Sequence, residues 1–117
     1  MFGDLLFTYE NEGKEKHVPV IHAPESVKAG EFFPVTVVVG EEVPHPNTAE
    51  HHIKWIQVFA QEEGKNPIHV LTFDVAAAVV DPNVTFKMKL DKNAVIYALA
   101  YCNIHGLWES NFKVDVE

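Results

Sequence analysis

The chain reads as all-β, an immunoglobulin-like antiparallel β-sandwich of about seven strands. Short runs of β-branched and apolar residues recur, several alternate polar with apolar at a period of two, and Gly, Pro, Asn or Asp stands between them. At 117 residues, 47% hydrophobic and 22% charged, the chain suits one globular domain, 1–117.

Residues 1–14, polar after Phe7, read as an N-terminal arm. Val35–Val39, bounded by Pro34 and Gly40, is short and β-branched, as a buried strand is. Ile53–Ala60 places Ile56, Val58 and Ala60 on one face, with Trp55 and Phe59 on the other. Pro67–Phe73 forms a further strand, and Val84, Phe86, Met88 and Leu90 alternate with Thr85, Lys87, Lys89 and Asp91. Ala94–Tyr101 is apolar throughout, which predicts a central strand covered on both faces. Phe112, Val114 and Val116 alternate with Lys113, Asp115 and Glu117.

Charge and composition exclude several functions. Seventeen acidic against nine basic residues give a net charge of -8, with no Lys/Arg cluster, so neither nucleic acid nor an anionic membrane is expected as a partner. No apolar run approaches the ~20 residues of a membrane span, and Met1-Phe2-Gly3-Asp4 does not open a secretory signal. With a single cysteine there is no internal disulfide, and the cytoplasm is the expected compartment.

The polar residues carry the chemistry. Cys102-Asn103-Ile104-His105-Gly106-Leu107-Trp108 puts that cysteine three residues before a histidine, in the turn between the last two strands. Gly106 is free to take the positive φ that such a turn asks for, and the backbone N–H groups of Ile104 and His105 are expected to point at the sulfur. Upstream stand Glu15-Lys16-His17, with His17 opening the first clear strand, and His45-Pro46-Asn47-Thr48-Ala49-Glu50-His51-His52 in a loop whose prolines exclude a long regular element. Thiolate beside imidazole selects a transition metal. One cysteine and up to four histidines exceed the four ligands of a structural zinc site, and no methionine follows His105 to serve as the axial ligand of a blue-copper centre. Five donors of mixed softness with one vacant position fit iron best. His22 and His69 read as ordinary surface or packing groups, and His52 as facing away.

Taken together, Glu15-Lys16-His17-Val18-Pro19, His45-Pro46-Asn47-Thr48, Glu50-His51-His52-Ile53-Lys54-Trp55 and the Cys102–Trp108 segment resemble the one-iron superoxide reductases of the neelaredoxin type, relatives of desulfoferrodoxin. The resemblance implies one mononuclear non-haem iron. His17, His45, His51 and His105 would lie around it in a plane, with Cys102 as axial thiolate and Glu15 as ligand of the ferric state. Lys16 resembles the lysine beside the vacant position, where superoxide would be reduced to hydrogen peroxide. Ferrous ion, thiolate and Lys16 together are locally positive and would attract an anion into an otherwise acidic protein. The four-cysteine rubredoxin-like centre of desulfoferrodoxins proper is out of reach for a chain with one cysteine. The resemblance further implies a rubredoxin-like electron donor and a homotetramer. An electron carrier that never binds substrate, and a metal-free binding module, are the competing functions.

Overall fold

Residues such as Val35, Val37, Ile56, Val58, Ile96 and Ala98 recur at every second position and are at most 0% exposed, so each strand lays one row of side chains into a single core. The computed structural model describes residues 1–117. Its eight strands are β1 (Val20–His22), β2 (Ser26–Val27), β3 (Phe33–Val38), β4 (Ile53–Glu62), β5 (Ile68–Asp74), β6 (Asn83–Met88), β7 (Ala94–Cys102) and β8 (Gly106–Val116). They form a three-stranded sheet in the order β1-β3-β6 and a five-stranded sheet in the order β2-β8-β7-β4-β5. No helix is long and apolar enough to cross a membrane.

The predicted sandwich is present, with three departures. First, β2 runs parallel to β8, pairing Ser26 with Asp115 and Val27 with Val116, so the molecule is not purely antiparallel. A strand of two residues, Ser26 and Val27, is too short for any periodicity to reveal. Second, β7 is central in its sheet, but only Ala94, Ile96, Ala98, Ala100 and Cys102 are buried; Val95, Tyr97, Leu99 and Tyr101 are half-buried on a face that no second layer covers. Third, the arm has structure of its own. Short 3₁₀ turns at Phe2–Leu5 and Tyr9–Asn11 flank Phe7, which makes an isolated bridge to Trp108 and sets its ring edge-on to the indole at 5.2 Å.

The β4–β7 ladder positions the functional end. It runs antiparallel from Glu62↔Ala94 to Ile53↔Cys102, and therefore delivers the residues just before Ile53 beside those just after Cys102. Because β8 begins at Gly106 and pairs back along β7, the connection is a tight turn, closed by the Cys102↔Gly106 pair. Gly106 sits at φ 81°, where a side chain would be strained, as expected from its place in the motif.

Removing buried volume from this ladder has a calculable effect. Ile96→Ala, at a site with no solvent exposure, is expected to lower stability by about 2–5 kcal/mol, read from guanidinium unfolding of the metal-free protein.

Candidate metal centre

Three connections bring four imidazoles to one end of the sandwich. His17 lies in the segment between the arm and β1, three residues ahead of the strand it was expected to open. Its main chain is held by Glu12, whose carboxylate accepts the N–H of His17 at 2.5 Å and that of Val18 at 3.2 Å. Its ring stacks on Trp108, 4.4 Å between centroids and 9° from parallel. The Trp108 indole in turn donates to the carbonyl of His105 at 3.2 Å, so one aromatic fixes two of the four histidines.

His45 is reached through Gly40, which takes φ 81°; a Cβ there would lie 2.5 Å from the His45 nitrogen. The chain passes too close for any side chain at that corner. His45 Nδ1 lies 2.7 Å from the Pro46 carbonyl; as a donor to that oxygen it leaves Nε2 with a free lone pair. His51 closes a turn in which its N–H donates to Thr48 Oγ1 at 3.1 Å and its carbonyl accepts the Thr48 N–H at 2.9 Å. Asn47 pins the same loop to the 76–80 turn, accepting from Ala78 N–H at 2.8 Å and donating to the Val80 carbonyl at 3.1 Å.

The four rings stand edge to face around a closed circuit. His17–His45, His45–His51, His51–His105 and His105–His17 have centroid separations of 4.9, 4.8, 5.1 and 4.9 Å. His17 Nε2 and His105 Nδ1 are 3.1 Å apart. One oxygen, Glu15 Oε1, lies 3.0 Å from His17 Nε2, 3.3 Å from His45 Nε2, 2.9 Å from His51 Nε2 and 3.4 Å from His105 Nδ1. Cys102, fully buried, contributes its sulfur to the cluster with His17, His51 and His105, all ligand atoms within 4.8 Å of one another. The sulfur accepts the His105 N–H at 3.3 Å. Of the two backbone donors expected there, His105 is the one in place.

This constellation fits a single ion. Ligands at about 2.1 Å from one metal and at right angles to each other lie about 3 Å apart, the spacing of His17 to His105 and of Glu15 to its four neighbours. Glu15 Oε1, His45 Nε2 and His51 Nε2 are buried with no hydrogen-bond partner. Left unanswered, such atoms cost stability; a cation between them answers all three. Burial holds His17 and His45 below the usual imidazole pKa, against the opposing pull of Glu15, so both rings are neutral lone-pair donors at neutral pH. The remaining histidines stay out: His22 pairs with Glu41, His69 Nε2 with Thr72 at 2.8 Å, and His52 turns away with Nδ1 3.0 Å from the Thr48 carbonyl.

Exposure grades across the ring, from 0% for the His45 side chain through 6% for His17 and 18% for His51 to 45% for His105. A shallow hollow of about 460 Å³ opens on this side, lined by Glu15, His17, His105, Trp108, Phe7 and Lys14. Lys16 is elsewhere. Its ammonium rests 3.4 Å from the Gly13 carbonyl, and its side chain lines a separate depression with Glu12, Glu41 and Glu42. Glu12 and Trp108 are the supporting residues that sequence reasoning left without a role. Trp108 ends the Cys102–Trp108 segment, whereas Glu12, in a polar arm, carries no signal in residue type.

A sandwich whose loops gather four imidazoles and a cysteine sulfur at one end has the donor set of a mononuclear metal centre. Comparison with known proteins says which kind. The desulfoferrodoxin family model matches residues 9–111. The chain is 44% identical to the neelaredoxin of Megalodesulfovibrio gigas over 116 residues, covering 88% of this chain and 89% of that one. It is 46% identical to the superoxide reductase of Pyrococcus abyssi over 105 residues, with 86% and 89% covered. Among solved structures, the superoxide reductase (neelaredoxin) from Ignicoccus hospitalis superposes with a TM-score of 0.93 at 44% identity, covering 100% of this chain and 99% of that chain. The chain belongs to the desulfoferrodoxin family.

The tight corner at Gly40 is open to test. Gly40→Ala is expected to destabilise the protein by about 1–3 kcal/mol and to lower its metal content by displacing His45, as measured by unfolding and by metal analysis of the purified variant.

Proposed function

We infer that the chain is a superoxide reductase, an oxidoreductase that converts superoxide, one electron and two protons into hydrogen peroxide. Its cofactor is a single mononuclear non-haem iron, for which His17, His45, His51 and His105 supply nitrogen and Cys102 supplies sulfur. The observation that carries this reading is the set of buried, unpartnered donors converging on one point, with Glu15 Oε1 within 3.4 Å of all four imidazole nitrogens. When bound, the iron supplies the one-electron reductant.

The chain's own residues account for the rest of the activity. The Cys102 sulfur accepts the His105 N–H, a hydrogen bond of the kind that tunes the potential of a metal the sulfur ligates. Glu15 lies on the side of the imidazole ring that opens into the hollow. That placement supports a carboxylate that occupies the substrate position in the resting oxidised state and gives way to superoxide. Lys16 carries its charge on a flexible four-carbon stem. From its rest near Gly13 it supports a role in drawing the anion toward the hollow and in ordering the water that delivers protons. The carrier alternative is disfavoured by the hollow, since a pure electron carrier has no need of a carboxylate poised among its ligands.

The chain has one cysteine and one such ligand cluster, so electrons must come from outside, and a rubredoxin-like donor is the proposed source. A homotetramer is proposed on two apolar surfaces that a lone chain leaves uncovered. One is the outer face of β4 and β7 with Trp55, Phe59, Tyr97 and Tyr101; the other is the arm, where Phe2, Leu5 and Tyr9 are 63%, 72% and 73% exposed. A thiol kept reduced as a ligand suits the cytoplasm.

Two substitutions separate the roles. Cys102→Ser is expected to abolish the sulfur-to-iron charge-transfer band of the oxidised protein, and a band retained at its original position would remove Cys102 from the ligand set. Lys16→Ala is expected to keep its iron and to capture superoxide roughly tenfold more slowly, measured by pulse radiolysis across a range of ionic strength. Capture at the wild-type rate would refute the attraction argument.

A further inference from the structure

The β4–β7 ladder ends at Ile53↔Cys102, and its register shifts between Ile53 and Trp55, so regular pairing stops where the ligand-bearing loops begin. One residue carries the pairing further. Asn103 N–H donates to the His52 carbonyl at 3.2 Å. Its side-chain oxygen accepts the His52 N–H at 2.9 Å, and its side-chain nitrogen donates to the Glu50 carbonyl, also at 2.9 Å. The two residues it grips, Glu50 and His52, flank His51. Asn103 itself stands between Cys102 and His105.

Resting on the iron reading above, we propose that Asn103 is a positioning residue, a clamp that sets the distance between the His51 loop and the Cys102–His105 turn and so determines how tightly the iron is held. The chemistry of the carboxamide explains the choice. It presents one donor and one acceptor in a plane, and here they meet a carbonyl and an N–H two residues apart, as a neighbouring strand would. Aspartate has the same shape but no donor, and would set an oxygen against the Glu50 carbonyl. Alanine has neither group. His51, Cys102 and His105 lie in one ligand cluster, so a shift between the two loops changes ligand distances directly. Asn103 is exposed; its contribution is geometric and owes nothing to burial.

The test uses the full chain loaded with ferrous iron, comparing wild type, Asn103→Ala and Asn103→Asp. Both variants are expected to release iron to a ferrous chelator about tenfold faster than wild type, in line with the usual effect of groups that orient metal ligands. Their metal-free forms are expected to keep the wild-type melting temperature to within a few degrees. Hydrogen exchange at the His52 N–H of the metal-free protein gives a second readout, expected to be slow in wild type and fast in Asn103→Ala. Iron release at the wild-type rate from both variants overturns the proposal, as does equal loss of stability in the metal-free and loaded forms, which would mark a merely structural role. An unprotected His52 N–H in wild type overturns it without any variant having to fold. A wild-type chain that takes up no iron overturns the iron reading itself, and is told apart from failure of the clamp by that absence.

Discussion

The antiparallel ladder between β4 and β7 is the constraint on which the site depends. Its registration pairs Ile53 with Cys102, and a shift of one residue would turn every inward side chain outward. The packing of Ile56, Val58, Ile96 and Ala98, none of them solvent-exposed, forbids that shift. The burial of aliphatic side chains in the middle of the sandwich thus fixes which histidine stands beside the sulfur at its end. Core and chemistry share one set of hydrogen bonds.

Around that end, the supporting groups act on ligands from several sides. Glu12 holds the main chain of His17, Trp108 its ring, and Gly40 makes room for His45. The result is a ring of imidazoles whose inward nitrogens crowd one another and the Glu15 carboxylate, with His45 Nε2 and His51 Nε2 buried and unpartnered. Buried atoms without partners cost stability, and a cation set among them would answer them.

The candidate site was legible in the sequence because the residues that could ligate a metal fall in short, punctuated motifs: a Cys and a His three apart before a glycine, and two His in a proline-bearing loop. His17, His45, His51, Cys102 and His105 all converge, and His22, His52 and His69 all stay outside. Strands with clean alternation, such as Val84 to Leu90, were equally readable. What escaped was what periodicity cannot encode. The two-residue β2 has no pattern to detect. The apolar run of β7 could not say whether its second face meets another layer or is left bare. Lys16 is next to His17 in sequence, yet residue order does not say where a long side chain in an irregular loop rests, and its ammonium lies against the Gly13 carbonyl. Glu12 acts through backbone N–H groups of residues five and six positions on, a relation with no signature in residue type.

Strand β8 starts in the turn beside Cys102 and runs the length of the sheet to Val116, so the two ends of the polypeptide meet very different surroundings. The first residues lean over the indole that braces His17, through the Phe7 bridge. The last ones finish beside Ser26 and Val27, at the pole remote from the imidazoles. A change at Val27 or Val116 is therefore felt at the pole remote from the imidazoles, whereas one at Phe7 acts directly on the aromatic that braces His17.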